Sequence, residues 1–200
     1  MAKGAAKREG RDAREAAMAE RIRAAATSLV KAPLYGVIYA DPPWRFEPYS
    51  RQTGMDRAAD NHYPTMTTDE IKALEIPAAK DCVLFLWRTA PMLQHALEVM
   101  EAWGFSFRSE FIWAKDRFGT GYWNRSKHEV LMVGVRGDVP APAPGTQLPS
   151  VIEAPVGRHS EKPAAFAAMI ERMFPSVPKL EMFARAPRDG WDVWGAEVGA

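Results

Sequence analysis

The residues best suited to chemistry lie in one short turn, Asp41-Pro42-Pro43-Trp44, which follows the apolar run 37–40. The β-branched and aromatic residues of that run predict a buried strand that ends at the Asp41 carboxylate. Two prolines stop the strand, because each fixes φ and lacks a backbone N–H, and the residue before a proline is held extended. We therefore expect a carboxylate, carbonyls that meet no competing N–H within their turn, and the face of an indole.

These groups suit a planar base that carries an amino group. A carboxylate and a carbonyl accept N–H bonds, while an aromatic ring stacks on the base. Open α/β sheets also bind their ligands at the carboxyl ends of strands. The same turn is nevertheless a common way for a chain to leave a sheet, so these four residues alone leave a binding site and a plain turn evenly balanced.

Several other chemistries lack their residues in this sequence. The single cysteine, Cys82, lies in an apolar run and is predicted to be a buried strand residue, so this chain cannot form a disulfide framework or a thiolate metal site. The four histidines show no ligand-pair spacing, and we expect no metal site. Gly119-Thr120-Gly121 lacks the third glycine and the following helix of a dinucleotide fingerprint, and no phosphate-binding loop or serine-nucleophile motif occurs.

Charge is unevenly distributed along the chain. Residues 1–32 carry eight Lys/Arg and four Asp/Glu, a net +4, whereas the whole chain carries +1. Ala, Arg and Glu predict a helix there, so we divide the chain into a basic N-terminal helical arm (1–32) and one domain (33–200). The arm suits a nucleic acid partner and equally a solvated helix with its own ion pairs. The sequence has no apolar stretch of membrane-spanning length and no signal peptide, so we expect a cytoplasmic protein.

Strand and helix patterns alternate through the domain. Apolar and β-branched runs predict strands at 34–40, 82–88, 105–114, 128–135, 150–153, 179–185 and 191–194. Amphipathic patterns predict helices over Ile71 and Leu74, over 91–102, and over a segment that Ser160 caps and Pro163 opens. This alternation is typical of an α/β domain with a mostly parallel sheet and helices on both faces. The polar segment 46–64 predicts a long loop, and such loops are usually functional.

Seven short blocks carry a family resemblance. They are Asp41-Pro42-Pro43-Trp44, His62-Tyr63-Pro64-Thr65-Met66, Leu84-Phe85-Leu86-Trp87, Trp103-Gly104-Phe105, Gly121-Tyr122-Trp123, His159-Ser160-Glu161-Lys162-Pro163 and Glu181-Met182-Phe183-Ala184-Arg185. In this order they resemble the DPPW adenine methyltransferases, which include the eukaryotic mRNA adenosine methyltransferase and bacterial and phage DNA or RNA enzymes. The resemblance implies a Rossmann-like, S-adenosylmethionine-dependent methyltransferase fold with permuted motif order, in which the catalytic strand comes first.

The resemblance also implies roles for individual residues. In the catalytic turn of Asp41, Pro42, Pro43 and Trp44, Asp41 and the Pro42 carbonyl would accept the N–H bonds of an adenine amine, and Trp44 would stack on the base. The implied substrate-side positions are Tyr63, Asn124, Lys127 and Glu129. The implied positions for S-adenosylmethionine are Ala40, Asp41, Lys162, Glu181, Arg185 and Glu197. Of these, Lys162 would lie near the methionine carboxylate, beside a helix N-terminus.

Alternative functions remain open at this stage. The leading hypothesis is adenine methylation in nucleic acid, with DNA favoured over RNA, and with a homodimer or heterodimer both open. A non-catalytic nucleic-acid-binding or partner subunit is the second hypothesis. It is favoured by the basic arm and by Ala196, where the family carries an asparagine, and it is opposed by the intact Asp41 turn. An enzyme that methylates a free base or a small molecule is the third.

Overall fold

A seven-stranded mixed sheet forms the centre of the computed structural model, which describes residues 34–45, 65–119, 123–142, 145–157 and 161–195. The predicted arm at 1–32, the loop at 46–64 and the predicted cap Ser160 lie outside these residues. The described strands are β1 (Tyr35–Ala40), β2 (Ala78–Arg88), β3 (Ser106–Lys115), β4 (His128–Arg136), β5 (Val151–Ala154), β6 (Lys179–Met182) and β7 (Asp192–Trp194). The described α-helices are α1 (Thr68–Lys72), α2 (Leu93–Ala102) and α3 (Ala164–Met173), and a 3₁₀ turn (Ala90–Met92) precedes α2.

The sheet is mostly parallel, as predicted. Its strand order is β5-β3-β4-β2-β1-β6-β7, and β4 runs antiparallel to its two neighbours, β2 and β3. The pairs β1–β2, β1–β6, β3–β5 and β6–β7 are parallel. The carboxyl ends of β1, β2, β3 and β6 therefore share one edge of the sheet with the amino end of β4. We call this the carboxyl edge, and Asp41 follows β1 at its centre.

Alternate residues of β1 and β2 pack on opposite faces of the sheet, because successive strand side chains point to opposite sides. Ile38 and Leu84 belong to the core on the α2 face, together with Val99. Tyr39 and Phe85 belong to the core on the α3 face, together with Phe166, Met169 and Ile170. The prediction of helices on both faces is confirmed, and Cys82 is fully buried in β2 as expected.

Local sequence explains how two of the helices are bounded. At the start of α1 the Thr67 hydroxyl accepts the N–H of Glu70, and the Glu70 carboxylate accepts the N–H of Thr67, which is a capping box. After α2, Gly104 adopts a left-handed φ of 79°, and the N–H of Phe105 donates to the Met100 carbonyl over 2.9 Å. This Schellman arrangement favours glycine, because a side chain there is strained.

Several predicted boundaries are wrong. β2 begins at Ala78 rather than at residue 82, and α2 begins at Leu93, after the 3₁₀ turn, rather than at residue 91. The strand predicted at 179–185 ends at Met182, because Phe183 takes a left-handed φ of 63° and its ring packs edge-on against Trp194. The helix predicted to open at Pro163 begins one residue later, and Pro163 itself is the N-cap, in an extended conformation with ψ 134°. Lys162 therefore precedes the helix rather than lying in its first turn.

Within the part of the chain that the structure describes, no helix has both the length and the apolar composition needed to cross a membrane.

Candidate active site at the carboxyl edge

The backbone of the turn after Asp41 is held by two hydrogen bonds. The N–H of Trp44 donates to the Pro42 carbonyl over 2.8 Å, and the N–H of Met66 donates to the Pro43 carbonyl over 2.7 Å. The prediction that these carbonyls meet no competing N–H within their turn is therefore wrong, because the Trp44 N–H of the same turn bonds to Pro42, and the more distant Met66 in addition pairs with Pro43. A carbonyl oxygen has two lone pairs, so Pro42 keeps one acceptor position.

Trp44 is a core residue. Its side chain is 8% exposed, and it belongs to the same buried cluster as Met66. The indole N–H donates to the Trp87 carbonyl at the end of β2 over 2.9 Å. This placement fixes the turn against β2 and leaves only a small part of the ring accessible, so the indole is not the open platform expected from the sequence. A stacking role for Trp44 stays a prediction.

Four charged side chains form an alternating row beside the turn. Lys162 Nζ lies 2.6 Å from Oδ2 of Asp41 and 3.4 Å from Oε2 of Glu129. The other Glu129 oxygen, Oε1, accepts a hydrogen bond from Lys115 Nζ at 2.5 Å. All four side chains are largely enclosed, with exposures from 13% for Lys162 to 28% for Asp41. We call Asp41, Lys162, Glu129 and Lys115 the charge cluster.

The pKa values within the charge cluster move in different directions. Burial raises the pKa of Asp41 above its ordinary value, and the ammonium of Lys162 opposes that rise without cancelling it. Burial also acts to raise the pKa of Glu129, but the ammonium groups of Lys162 and Lys115 outweigh it, so this pKa lies below its ordinary value. Burial lowers the pKa of Lys162, and the two carboxylates outweigh burial, so the net shift is upward and Lys162 stays protonated.

The core under α3 positions Lys162. Its ammonium lies 5.4 Å from the centre of the Trp87 ring, and Phe166 of α3 packs edge-on against the same ring at 4.8 Å. The Trp87 N–H donates to the Tyr39 hydroxyl over 2.7 Å. Burial raises the pKa of Tyr39 well above its ordinary value, so this phenol stays neutral and holds the ring in place. Lys162 is therefore a fixed and largely enclosed cation rather than a solvated surface lysine.

Three further predicted cofactor residues, Ala40, Glu181 and Arg185, occupy different settings. Glu181 accepts a hydrogen bond from Arg188 Nε over 2.7 Å, and its carboxylate is 17% exposed. Arg185 is exposed, and its charge acts to lower the pKa of Asp41, so the two residues belong to one electrostatic neighbourhood. Ala40 is fully buried as the last residue of β1. Their roles in cofactor binding stay predictions.

The predicted substrate residues do not all lie in the charge cluster. Asn124 and Lys127 are exposed on the segment between β3 and β4, while Glu129 lies in the cluster itself. Tyr63 and Glu197 fall outside the described residues, so their predicted roles are unchanged.

Sequence reasoning missed Lys115 and Arg188. Lys115 reaches Glu129 because Trp113 of β3 lies opposite Glu129 in the antiparallel register, and residues two apart share a face of the sheet. The only local signal was a lysine at the end of a predicted strand. Among the described residues, no group of three or more His, Cys, Asp or Glu side chains is suited to hold a metal ion.

Comparison with known proteins gives a consistent result. A family model, MT-A70, matches residues 35–197. The type II methyltransferase M.MunI of Mycoplasma sp is 35% identical over 181 residues, which cover 82% of this chain and 78% of that protein. The N(6)-adenosine-methyltransferase MT-A70-like protein of Arabidopsis thaliana is 35% identical over 161 residues, which cover 76% of this chain and 22% of that protein. The Homo sapiens N(6)-adenosine-methyltransferase catalytic subunit METTL3 is 34% identical over 160 residues, which cover 76% of this chain and 26% of that protein. The chain thus spans most of the Mycoplasma protein and about a quarter of the two eukaryotic ones.

Proposed function

Because this chain belongs to the MT-A70 family of adenine methyltransferases, we propose that it transfers a methyl group from S-adenosylmethionine to the exocyclic amino group of adenine in nucleic acid, with DNA favoured over RNA. The observation that carries the proposal is the 2.6 Å contact between Lys162 and Asp41. It supports one site in which an acceptor for an amine lies beside a cation for an anionic group of the methyl donor.

Asp41 acts on the amine as a hydrogen-bond acceptor. The lone pair of adenine's exocyclic nitrogen is delocalised into the ring, so the amine is a weak nucleophile until its N–H bonds are held in a tetrahedral arrangement. Lys162 occupies Oδ2 of Asp41, which leaves Oδ1 for one N–H, and the second lone pair of the Pro42 carbonyl accepts the other. Both acceptors are preorganised, because the prolines and their hydrogen bonds fix the turn. Asp41 must be ionised for this role.

The charge cluster fits the chemistry of S-adenosylmethionine. When bound, this donor supplies a methyl group that its sulfonium charge has already activated. Lys162 suits its methionine carboxylate, and the carboxylates of Asp41 and Glu129 suit the positive charges of the same part of the molecule. Ala40, Glu181, Arg185 and Glu197 are the proposed contacts for the rest of the donor.

We favour DNA over RNA because of how much of each relative is matched. The match covers 78% of the bacterial type II methyltransferase, but only 22% and 26% of the two N(6)-adenosine-methyltransferases. The substrate, the nucleic acid partner and any dimer remain part of the proposal.

The decisive experiment replaces Asp41 with asparagine, which keeps the shape and removes the charge. We expect methyl transfer to adenine-containing oligonucleotides to fall by about 100- to 1000-fold, the usual cost of losing one preorganised group that stabilises a transition state. DNA and RNA oligonucleotides of the same sequence are assayed in parallel with labelled S-adenosylmethionine, and the modified base is identified by mass spectrometry.

Asp69→Asn is the matched control, because Asp69 lies in α1 with a side chain that is 91% exposed. Equal methylation by wild type and Asp41→Asn would exclude the role proposed for Asp41. If wild type neither methylates adenine nor binds the donor at millimolar concentration in calorimetry, the chain is a non-catalytic subunit. If the wild type methylates RNA more readily than DNA, the proposed substrate is wrong, whereas the proposed chemistry of adenine methylation stands.

A further inference from the structure

Hydrogen bonds connect the described residues of the segment between β3 and β4. The N–H of Lys115 donates to the Lys127 carbonyl over 2.9 Å, and the N–H of Gly119 donates to the Ser126 carbonyl over 2.6 Å. Arg125 Nε also donates to the Gly119 carbonyl over 3.0 Å. These hydrogen bonds join the described residues 116–119 and 123–127 to each other beyond the paired part of β3 and β4, and we call these residues the ribbon.

The ribbon exposes two large aromatic side chains. Trp123 is 101% exposed and makes no ring contact or hydrogen bond with any residue that the structure describes. Phe118 is 63% exposed. The other six tryptophans among the described residues are at most 8% exposed. Exposed aromatic surface framed by polar residues is typical of an interaction site rather than of a folding core.

Cations surround the aromatic residues of the ribbon. Lys127 Nζ lies 5.3 Å from the centre of the Phe118 ring, and Arg125 Cζ lies 5.8 Å from it. Residues 116–127 carry Arg117, Arg125 and Lys127 against Asp116, a net +2, whereas residues 33–200 together carry −3. The ribbon is thus a local positive region on a slightly negative domain, which suits a polyanion.

The ribbon emerges from the carboxyl edge on the same side as Asp41. Two strands, β4 and β2, separate β3 from β1, and neighbouring strands lie about 4.8 Å apart, so β3 and β1 are about 14 Å apart. A nucleic acid strand covers this distance in about four stacked nucleotides. The charge cluster lies between the ribbon and Asp41, because Lys115 and Glu129 lie where the ribbon leaves the sheet and Lys162 contacts both Glu129 and Asp41.

We propose that the ribbon holds an unpaired stretch of the nucleic acid next to the target adenine, with Trp123 stacked on a base and Arg125 and Lys127 on phosphates. Stacking on an indole requires an open base face, so this surface selects a single-stranded or locally opened substrate. The inference rests on the proposed function and adds the form of polymer that the site accepts.

The first test replaces Trp123 with alanine and with phenylalanine. Because Trp123 is fully exposed, neither change alters the melting temperature. We expect Trp123→Ala to weaken binding of a single-stranded oligonucleotide with long flanks by roughly 5- to 150-fold and Trp123→Phe to restore most of the loss. The loss should vanish for a trinucleotide, which is too short to reach the ribbon from Asp41. Phe107→Ala is the control, because Phe107 is 44% exposed at the opposite edge of the sheet.

The second test removes the two cations with Arg125→Gln/Lys127→Gln. Each phosphate contact contributes about −0.7 to the slope of log affinity against log salt for single strands, so we expect the slope to flatten by about 1.4. The control pair Lys80→Gln/Arg108→Gln removes two exposed cations near the amino ends of β2 and β3 and should leave the slope unchanged.

The outcomes separate this inference from the proposed function. Wild-type affinity and salt slope in both ribbon variants would overturn the inference, whether or not the protein methylates adenine. If the protein shows no methylation but the ribbon variants bind oligonucleotides more weakly, the ribbon is a nucleic acid site and the proposed methyltransferase activity is wrong. If Trp123→Ala instead changes the mass in sedimentation and leaves oligonucleotide binding intact, the ribbon is a protein interface and the inference is wrong.

Discussion

Asp41 and Glu129 touch the same ammonium from opposite sides, yet they belong to different regions of the molecule and behave differently. Asp41 ends β1 in a turn made of prolines, and Lys162 binds one of its oxygens at 2.6 Å. Glu129 lies inside β4, and both of its oxygens are bound, one by Lys162 and one by Lys115. The pKa of Asp41 is raised, while that of Glu129 is lowered.

The difference shows that burial alone does not decide how a carboxylate behaves at this edge. Burial acts to raise both pKa values. At Glu129 the ammonium groups of Lys162 and Lys115 outweigh burial, whereas at Asp41 the charges of Lys162 and Arg185 do not, and the Glu129 carboxylate opposes them. Glu129 is therefore a fixed anion that anchors Lys162. Within the described part of the chain, Asp41 has an ion-pair contact at Oδ2 alone, and this asymmetry suits a group that must also engage a substrate.

The largest effect is expected from Lys162→Met, which removes the cation that both carboxylates share. The hydrocarbon chain still covers Trp87, but Asp41 loses its ionic partner and Glu129 loses one of two. We expect the free energy of unfolding to fall by about 2–3 kcal/mol, since an enclosed charge is left uncompensated. Donor affinity should fall by about tenfold or more, the cost of a charged hydrogen bond. Urea denaturation and calorimetry with S-adenosylmethionine measure the two losses.

Lys72→Met is the control for this change. Lys72 pairs with Asp69 and Glu98 but is 34% exposed, so its loss should cost within about 0.5 kcal/mol. Wild-type stability in Lys162→Met would mean that the charge cluster stores no ionic stabilisation. Wild-type donor affinity would remove Lys162 from the proposed donor site.

The fold was predictable because local and global signals agree. The apolar runs of β1 and β2 alternate between two cores, and the strand that ends at Asp41 is ended by two prolines, so both its existence and its boundary follow from nearby residues. Asp41 and Lys162 were placed in one site by the order of the sequence blocks, although 121 positions separate them. In the structure they are in contact.

The missed features depend on pairing between distant segments. Lys115 meets Glu129 through the register of β3 on β4, which no local pattern specifies. The Pro43 carbonyl accepts the N–H of Met66, which lies 23 positions further along the chain. The left-handed φ of Phe183 costs about 1–2 kcal/mol for a residue other than glycine, and its packing against Trp194 offsets that cost. Propensity favours continuing the strand there, so sequence reasoning extended β6 too far.

A second, smaller effect is expected from Glu129→Gln, which removes the competitor of Asp41 and keeps the hydrogen-bonding shape. Lys162 is then free to pair with Asp41 alone, so the pKa of Asp41 falls towards its ordinary value. Activity that depends on ionised Asp41 should therefore persist to lower pH, and the acidic limb of the pH–rate profile should move to lower pH. An acidic limb that stays in place would show that the two carboxylates do not compete for Lys162.

The same variant also tests how the Glu129 carboxylate contributes to stability. Its folded-state pKa is lowered, so its contribution is present above the unfolded-state pKa and is lost as the pH falls through the folded-state pKa. We expect Glu129→Gln to cost up to about 2 kcal/mol near neutral pH and progressively less in acid. Urea denaturation across the acidic range measures this difference, and a cost independent of pH would contradict the ionic account.

The smallest effect is expected from Lys115→Met, and its sign is opposite to that of Glu129→Gln. Lys115 neutralises Glu129 from the side away from Asp41, with its ammonium 4.6 Å from the centre of the Trp113 ring. Without it, Glu129 draws more strongly on Lys162, and Asp41 is left with a weaker partner and a higher pKa. The acidic limb of the pH–rate profile should then move to higher pH, while the free energy of unfolding falls by only about 1 kcal/mol, because the Met side chain retains the contact with Trp113. Opposite shifts in Lys115→Met and Glu129→Gln would mean that Lys115 and Glu129 change the pKa of Asp41 electrostatically, through their ion pairs with each other and with Lys162. Shifts in the same direction would mean that each variant acts on Asp41 by disturbing the local packing instead.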